Sequence, residues 1–324
     1  MLLTPPQARR LYEHAAGNRY AILAINADSP AAITDCLIAA SACDAPVIVE
    51  TSLWQLTGHS FGSGDPLLGI DRYLADLATL ASAERFAEVP VVYHTDHIKG
   101  PGTMEILTHA IRKGASSVSL DSSEMSAREN IETMSRLCAF AGEENLPATL
   151  EMEAGVDDGV TELEETRELF GKVEADHPGY LALWAPGVGT QHGLGSDANA
   201  FNPDAVRAHR ELASELAGRP VGIALHGSSG LAEDQLAAGV EAGVAKVNWS
   251  SESLLIRSAA ARAYYQENGE RLEKGHPDFK GAAMDNGLQQ AVSEVYVPRV
   301  RARIEALNGA GQASAFREWM EKTK

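Results

Sequence analysis

Several features are scarce or missing in this sequence, and each absence narrows the reading. Only three of the 324 residues are cysteine. Cys36, Cys43 and Cys138 have no C-x-x-C spacing and stand in apolar, helix-like surroundings, so they read as reduced packing residues and favour a reducing cytoplasm. Positive charge is short as well: Lys+Arg number 27 against 45 Asp+Glu, a net charge of -18. That excludes nucleic acid and anionic membrane as expected partners, since both demand basic patches. It leaves room for a phosphorylated small molecule, which needs only a locally positive site. No apolar run approaches the roughly 20 residues of a membrane span. Arg9 and Arg10 lack a following apolar core, so no signal peptide is expected there. Finally, no Gly-rich phosphate turn follows the first apolar run at 21–26, which counts against an open doubly wound sheet.

What is present is a regular alternation. Strand-length apolar runs lie at 20–26, 46–50, 89–94, 117–120, 148–153, 181–185, 221–225 and 245–248. Stretches with helical periodicity separate them, at 30–42, 67–86, 103–112, 127–144, 162–176, 203–216 and 232–242. Ser126 with Glu129 three residues later is a capping-box start signal. Crossover helices between strands imply a parallel sheet, and eight strands close a barrel. The expected fold is therefore α/β, a (β/α)8 TIM barrel forming one domain over 1–324. The barrel would occupy about 20–260, with a C-terminal helical extension at about 261–324. Segments 254–268, 288–307 and 313–321 look helical; packing on the barrel base and an oligomer contact are equal readings of that tail.

The C-terminal strand ends of such a barrel build its active site. The polar residues placed there are Asn26, Glu50, Ser52, His94 to His97, Asp121, Glu151, Glu153, His192, His226 and Asn248. A single strand-end histidine is most often structural. Three of them, at ends three, six and seven, fit an open metal site, and zinc suits imidazole ligands that leave one position for substrate. Bound zinc can polarise a carbonyl or stabilise an enediolate oxygen. His94 competes with His97 as the ligand from strand three. Asp96 reads as a proton shuttle facing substrate, or else as a carboxylate that orients a histidine. Asp121 and Glu153 could hold a second metal, orient the first, or form a structural ion pair. Gly227-Ser228-Ser229-Gly230 and Asn248-Trp249-Ser250-Ser251 each lead into a helix, where backbone N–H groups and hydroxyls favour an anion.

These motifs resemble the class II (zinc-dependent) ketose-bisphosphate aldolases, the fructose- and tagatose-bisphosphate aldolase family. The matching stretches are Val89-Pro90-Val91 with His94-Thr95-Asp96-His97, Ser119-Leu120-Asp121-Ser122-Ser123, Glu129-Asn130-Ile131, Leu150-Glu151-Met152-Glu153-Ala154-Gly155, Gly189-Thr190-Gln191-His192-Gly193, Leu225-His226-Gly227-Ser228-Ser229-Gly230 and Lys246-Val247-Asn248. They run in the family's order. The resemblance implies a homodimeric or homotetrameric TIM barrel that cleaves or forms a C–C bond of a phosphorylated ketose. Dihydroxyacetone phosphate would be the donor, reacting with an aldehyde through a zinc-stabilised enediolate. It assigns His97, His192 and His226 to zinc, Asp96 to proton transfer, and Asp121 and Glu153 to a possible second divalent metal. Gly193, Gly227, Ser229, Asn248 and Ser251 would cradle the donor and its phosphate, with Na+ or K+ nearby. Asn26, Ser52 and Ser250 are further candidates for substrate contact.

The sequence departs from the family in places. Where the family carries a Gly-Gly-Glu-Glu loop, this chain has Val156-Asp157-Asp158-Gly159-Val160, so Asp157, Asp158, Glu162 or Glu164 would have to move the donor's proton. Leu194 and Gly195 replace a Tyr-Lys pair, and Trp249, Ser250 and Ser251 are atypical. Segment 281–286 has no arginine for a distal phosphate. These changes point toward a ketose 1-phosphate or an unusual acceptor aldehyde. Two rival readings follow: a Schiff-base aldolase using Lys246, the one lysine on the eight runs, and a non-catalytic or regulatory sugar-phosphate-binding barrel.

Overall fold

A computed structural model describes every residue except Val156, Asp158, 195–199 and Lys324. Eight parallel strands close in sequence order into a barrel. They are β1 Ile22–Asn26, β2 Val47–Thr51, β3 Val91–Thr95, β4 Ser117–Ser119, β5 Leu150–Glu153, β6 Leu181–Ala185, β7 Gly222–Leu225 and β8 Val244–Trp249. The seam is β1 against β8, with Ile22 opposite Lys246 and Ala24 opposite Asn248. The expected TIM barrel with C-terminal helices is what forms.

The helices are α1 Pro5–Asn18, α2 Pro30–Ala42, α3 Leu53–Thr57, α4 Pro66–Ser82, α5 Thr103–Arg112, α6 Ala127–Glu143, α7 Leu163–Thr166, α8 Lys172–Asp176, α9 Pro203–Ala217, α10 Glu233–Ala242, α11 Ser251–Glu267, α12 Phe279–Ala283, α13 Asp285–Ala306 and α14 Gln312–Lys322. The stretch read as one helix at 162–176 is interrupted by a π-helical turn, Arg167–Gly171. Among the described residues no helix is long and apolar enough to cross a membrane. Cys36, Cys43 and Cys138 are buried and unpaired. Burial pushes the Cys36 and Cys138 thiols up to about 12, as suits packing residues.

Strand alternation divides each β-strand between two environments. Leu23, Ile25, Val47, Val49, Val91 and Tyr93 face the helices. Ile22, Ala24, Ile48, Val92, Ala182 and Ala245 face the barrel axis and pack on Leu11, Tyr12 and Ala15 of α1. Helix α1 thus plugs the N-terminal mouth, and Phe316 of α14 packs on the same cluster. The longest tail helix, α13, buries Tyr296, Val300 and Ile304 in the helix–strand layer rather than on the barrel base.

Above the apolar floor the barrel interior turns polar. Glu50, His94, Glu151 and Lys246 are fully buried there. The Lys246 ammonium lies 2.9 Å from Glu151 and 3.4 Å from Glu50. Burial, reinforced by Asp96, pushes the Glu50 carboxyl up to about 8, so at neutral pH Lys246 balances chiefly the ionised Glu151. Tyr12 meets Ser117 at 2.8 Å, and Ser117 meets His94 Nδ1 at 2.7 Å.

His94 gives this layer a pH dependence. Burial, then the Lys246 charge, lowers its pKa to about 3. The folded protein keeps His94 neutral, whereas the unfolded chain takes up a proton below about 6.5. The unfolded state therefore binds more protons as pH falls, and stability drops from that point down toward pH 3. The expected loss between pH 7 and pH 5 is roughly 2 kcal/mol from this residue. His94→Gln should remove that part of the slope in urea titrations at the two pH values; identical slopes in both proteins would rule the assignment out.

Candidate active site

Three loops carry the histidines to the C-terminal mouth. Simple alternation after β3 would send Asp96 inward and His97 outward. His97 instead adopts a left-handed backbone with φ of 50°, an uncommon conformation for a residue with a side chain. That turn brings the His97 ring back over the barrel, with Nε2 3.6 Å from Asp96. His226 follows β7 and is fully enclosed. Gly227, with φ of +65°, lets its loop touch the loop bearing His192: a Cβ there would lie 2.6 Å from the Gln191 carbonyl oxygen. The ring centroids of His97, His192 and His226 are 4.6 to 5.7 Å apart.

Each imidazole has one nitrogen engaged by a carboxylate. His97 Nδ1 lies 3.3 Å from Asp121. His192 Nδ1 meets Asp157 at 2.9 Å, and His226 Nε2 meets Glu151 at 2.9 Å. Of the other nitrogens, His97 Nε2 is the one 3.6 Å from Asp96. His226 Nδ1 is buried with no hydrogen-bond partner. One ligand atom from each of the three histidines falls within a 4.8 Å cluster. Three clustered imidazoles, one with a buried nitrogen that has no hydrogen-bond partner, are the donor set of a metal site with carboxylate-oriented histidines.

His94 stays below this cluster with Ser117, so His97 is the residue that joins the other two histidines. Glu153 lies beside the cluster, grouped with Asp96, His97 and His226. Burial raises its carboxyl well above the usual range. Asp121 accepts from the Ser123 backbone at 3.0 Å and lies 3.4 Å from Lys99. It therefore serves at least to orient His97.

Asp96 is 1% exposed. The side-chain amides of Asn26 and Asn248 each donate to one of its oxygens at 3.0 Å. Burial alone would raise its pKa. The charges of His97, Lys246 and His226 and the Asn26 amide outweigh that and hold the carboxyl well below the usual range. Asn26 and Asn248 thus fix an ionised carboxylate at the mouth.

A cleft of about 400 Å³ opens over this group. Asn26, Ser52, His97, Asp121, Glu153, His192, Ser250 and Ser251 all reach it. Ser52 is also occupied as the cap of α3, with its hydroxyl donating to Gln55 at 2.7 Å. Ser229 accepts from the Glu252 backbone at 3.3 Å, at the start of α11. Gly193 has φ of +99°. Of the loop carboxylates, Asp157 lines the cleft, Glu162 and Glu164 sit at the start of α7, and Asp158 lies outside the described residues, as does Gly195.

Residues 6–312 match the family described as fructose-bisphosphate aldolase class-II. The chain belongs to that family. Among its relatives, the fructose-bisphosphate aldolase of Ureaplasma parvum is 27% identical over 271 residues, 82% of this chain and 86% of that protein. That of Aspergillus oryzae is 25% identical over 343 residues, 94% of each chain. The fold is shared with the fructose-bisphosphate aldolase of Campylobacter jejuni at a TM-score of 0.81 and 21% identity, covering 95% of this chain and 96% of that one. The YdjI aldolase of Escherichia coli K12 superposes with a TM-score of 0.73 at 22% identity, covering 97% and 100%.

Family membership makes the chain a metal-dependent aldolase, an aldehyde-lyase acting on a phosphorylated ketose, and sets aside the non-catalytic barrel. The structure also corrects the Schiff-base reading of Lys246. A nucleophilic lysine must reach substrate as a free amine. Lys246 is sealed inside the barrel, and although burial acts to lower its pKa, the neighbouring carboxylates, Glu151 foremost, raise it and keep it charged.

Within this aldolase fold some contributors carry no sequence signal. Arg303 of α13 donates to the Ser228 carbonyl at 2.7 Å and the Leu231 carbonyl at 3.2 Å, bracing the Gly227–Gly230 turn from 75 residues away. Glu151 was visible as a strand-end carboxylate, but its grip on His226 required the fold.

Proposed function

We propose that this protein cleaves and forms the C3–C4 bond of a ketose phosphate with dihydroxyacetone phosphate as donor, using zinc held by His97, His192 and His226. The observation that carries the reading is the grouping of three imidazoles, each offering one ligand nitrogen within a 4.8 Å cluster, with a buried, unpartnered Nδ1 on His226 and an ionised Asp96 beside them. When bound, zinc supplies a Lewis acid that polarises the ketose carbonyl. Asp96 accepts the C4 hydroxyl proton in cleavage and returns it in synthesis. Asn26 and Asn248 hold its two oxygens in place, so the carboxylate needs no reorientation during transfer. Gly193, Gly227, Ser229, Asn248, Ser250 and Ser251 form the donor-phosphate cradle, supported by the N-terminus of α11 and by Arg303 behind the turn. Asp121 and Glu153 stand where a second divalent metal could bind, and a monovalent cation beside the phosphate is part of the same reading.

A cytoplasmic enzyme is supported by the three unpaired, buried cysteines. A homodimer or homotetramer is supported by Leu255, Tyr265, Phe279, Met284 and Val295, large apolar residues left exposed along α11 to α13. The catalytic test is a retro-aldol assay on ketose 1-phosphates and 1,6-bisphosphates, with dihydroxyacetone phosphate detected as product. Release that EDTA stops and zinc restores is the expected outcome. Cleavage indifferent to chelator, or a different three-carbon product, would refute the proposal.

A further inference from the structure

The donor and acceptor ends of the cleft differ in character. The proposed phosphate cradle lies over β6 to β8, and Asp96 and His97 stand at the end of β3. With the donor over β6 to β8, the fragment beyond C4 falls past Asp96, toward the ends of β2 and β4. Ser52, Leu53, Trp54, Lys99 and Ser123 line the cleft there.

This end offers no free positive charge among the described residues. Lys99 is its one lysine or arginine, and its ammonium is already engaged by Asp121 at 3.4 Å, Glu124 at 3.3 Å and the Ser123 hydroxyl at 3.2 Å. Asp121, Glu153 and Asp157 line the same cleft. Residues 156, 158 and 195–199 contain no lysine or arginine in the sequence. A phosphate placed here would meet carboxylates, with the already paired Lys99 as the one lysine or arginine among the lining residues.

The end does offer an aromatic face. Trp54 is 86% exposed, the most exposed of the large apolar side chains among the described residues. Its backbone is fixed all the same. It is the second residue of α3, and its backbone N–H donates to Ser52, whose own N–H and hydroxyl bond Gln55. The ring also borders a neighbouring cleft of about 470 Å³, with His59, Ser60 and, from the proposed cradle, Ser250 on its walls. An uncovered ring on a fixed stretch of backbone, between two polar clefts, matches sugar recognition, in which C–H faces stack on the ring and hydroxyls reach the polar walls.

Resting on the donor chemistry proposed above, we propose that the acceptor end takes an uncharged polyhydroxylated aldehyde stacked on Trp54. The substrate is then a ketose with a single phosphate, at the donor end. The test begins with zinc-loaded protein and dihydroxyacetone phosphate, scoring exchange of the hydroxymethyl protons. Absence of exchange sinks the donor reading and this inference with it. With exchange established, neutral aldoses of two to six carbons are compared with their terminal phosphates, beginning with D-glyceraldehyde against D-glyceraldehyde 3-phosphate. The expected result is a kcat/KM at least about 10-fold higher for the best neutral aldehyde. Preference for the phosphorylated series, or turnover of no neutral member, overturns the proposal while leaving the donor chemistry standing. Trp54→Ala should raise KM for the best neutral aldehyde about 10-fold, with Trp54→Phe restoring most of the loss. An unchanged KM, with altered subunit assembly in size-exclusion chromatography, would make Trp54 an interface residue and overturn its assigned role.

Discussion

Asp96→Ala is expected to lower kcat for cleavage by about 10²- to 10⁴-fold, the usual contribution of a positioned general base, while metal content stays at the wild-type level. Two opposing facts underlie the size of the effect. The carboxylate is almost wholly enclosed, which by itself would favour its neutral form, yet it stays ionised beside positive neighbours. Its two oxygens are held by two amides on different strands, so the site has invested structure in one orientation of one base. Alanine is a cleaner probe than asparagine, whose own NH2 group would be forced against the donating amide of Asn26 or Asn248. Metal analysis and steady-state kinetics on the same preparation check the expectation. Wild-type turnover in the variant would remove Asp96 from proton transfer; loss of metal would make it a structural support of His97 instead.

The second large effect concerns the metal. His226→Ala should abolish stoichiometric zinc binding and with it cleavage, because it deletes the one ligand nitrogen that is fully buried and has no other partner. Glu151→Gln should weaken zinc affinity by about 10- to 100-fold, since it replaces the carboxylate that orients the His226 ring and raises its basicity. The order of the two variants discriminates between causes. Glu151 also neutralises Lys246, so Glu151→Gln disturbs the barrel interior, where Glu50 at 3.4 Å is the remaining partner. A purely structural role would lower thermal stability and leave zinc affinity, measured by chelator competition at fixed pH, as it was. The proposed role requires affinity to fall in a sample that is still folded.

The sequence revealed the repeat and the chemistry more readily than the supports. Eight apolar runs separated by helical stretches were enough for the barrel, because each run alternates between a helix-facing and an axis-facing set. The strand-end residues followed from the same pattern. Helices α1 and α3 were missed, although each has a capping box, Thr4 with Gln7 and Ser52 with Gln55. Helix α3 is only five residues long, and the buried face of α1, Ala8, Leu11, Tyr12 and Ala15, precedes the first strand, outside the strand–helix repeat. The choice between His94 and His97 was open in sequence because the strand's end was uncertain by a residue or two. It is decided by the left-handed turn at His97, which no periodicity encodes. Lys246 was ambiguous because a strand lysine can serve as nucleophile or counter-ion, and only the placement of Glu50 and Glu151 around it distinguishes the two. Arg303 lies in a tail helix whose docking depends on tertiary packing, so its hold on the phosphate turn had no local signature.

The most direct single test of the account is solvent exchange at the hydroxymethyl carbon of dihydroxyacetone phosphate, followed by NMR in deuterium oxide. It isolates the donor half-reaction and needs no knowledge of the aldehyde. The account predicts stereospecific exchange of one proton by zinc-loaded protein, lost on EDTA treatment and restored by added zinc. Zinc-loaded, folded protein that binds dihydroxyacetone phosphate and leaves both protons unexchanged would contradict it.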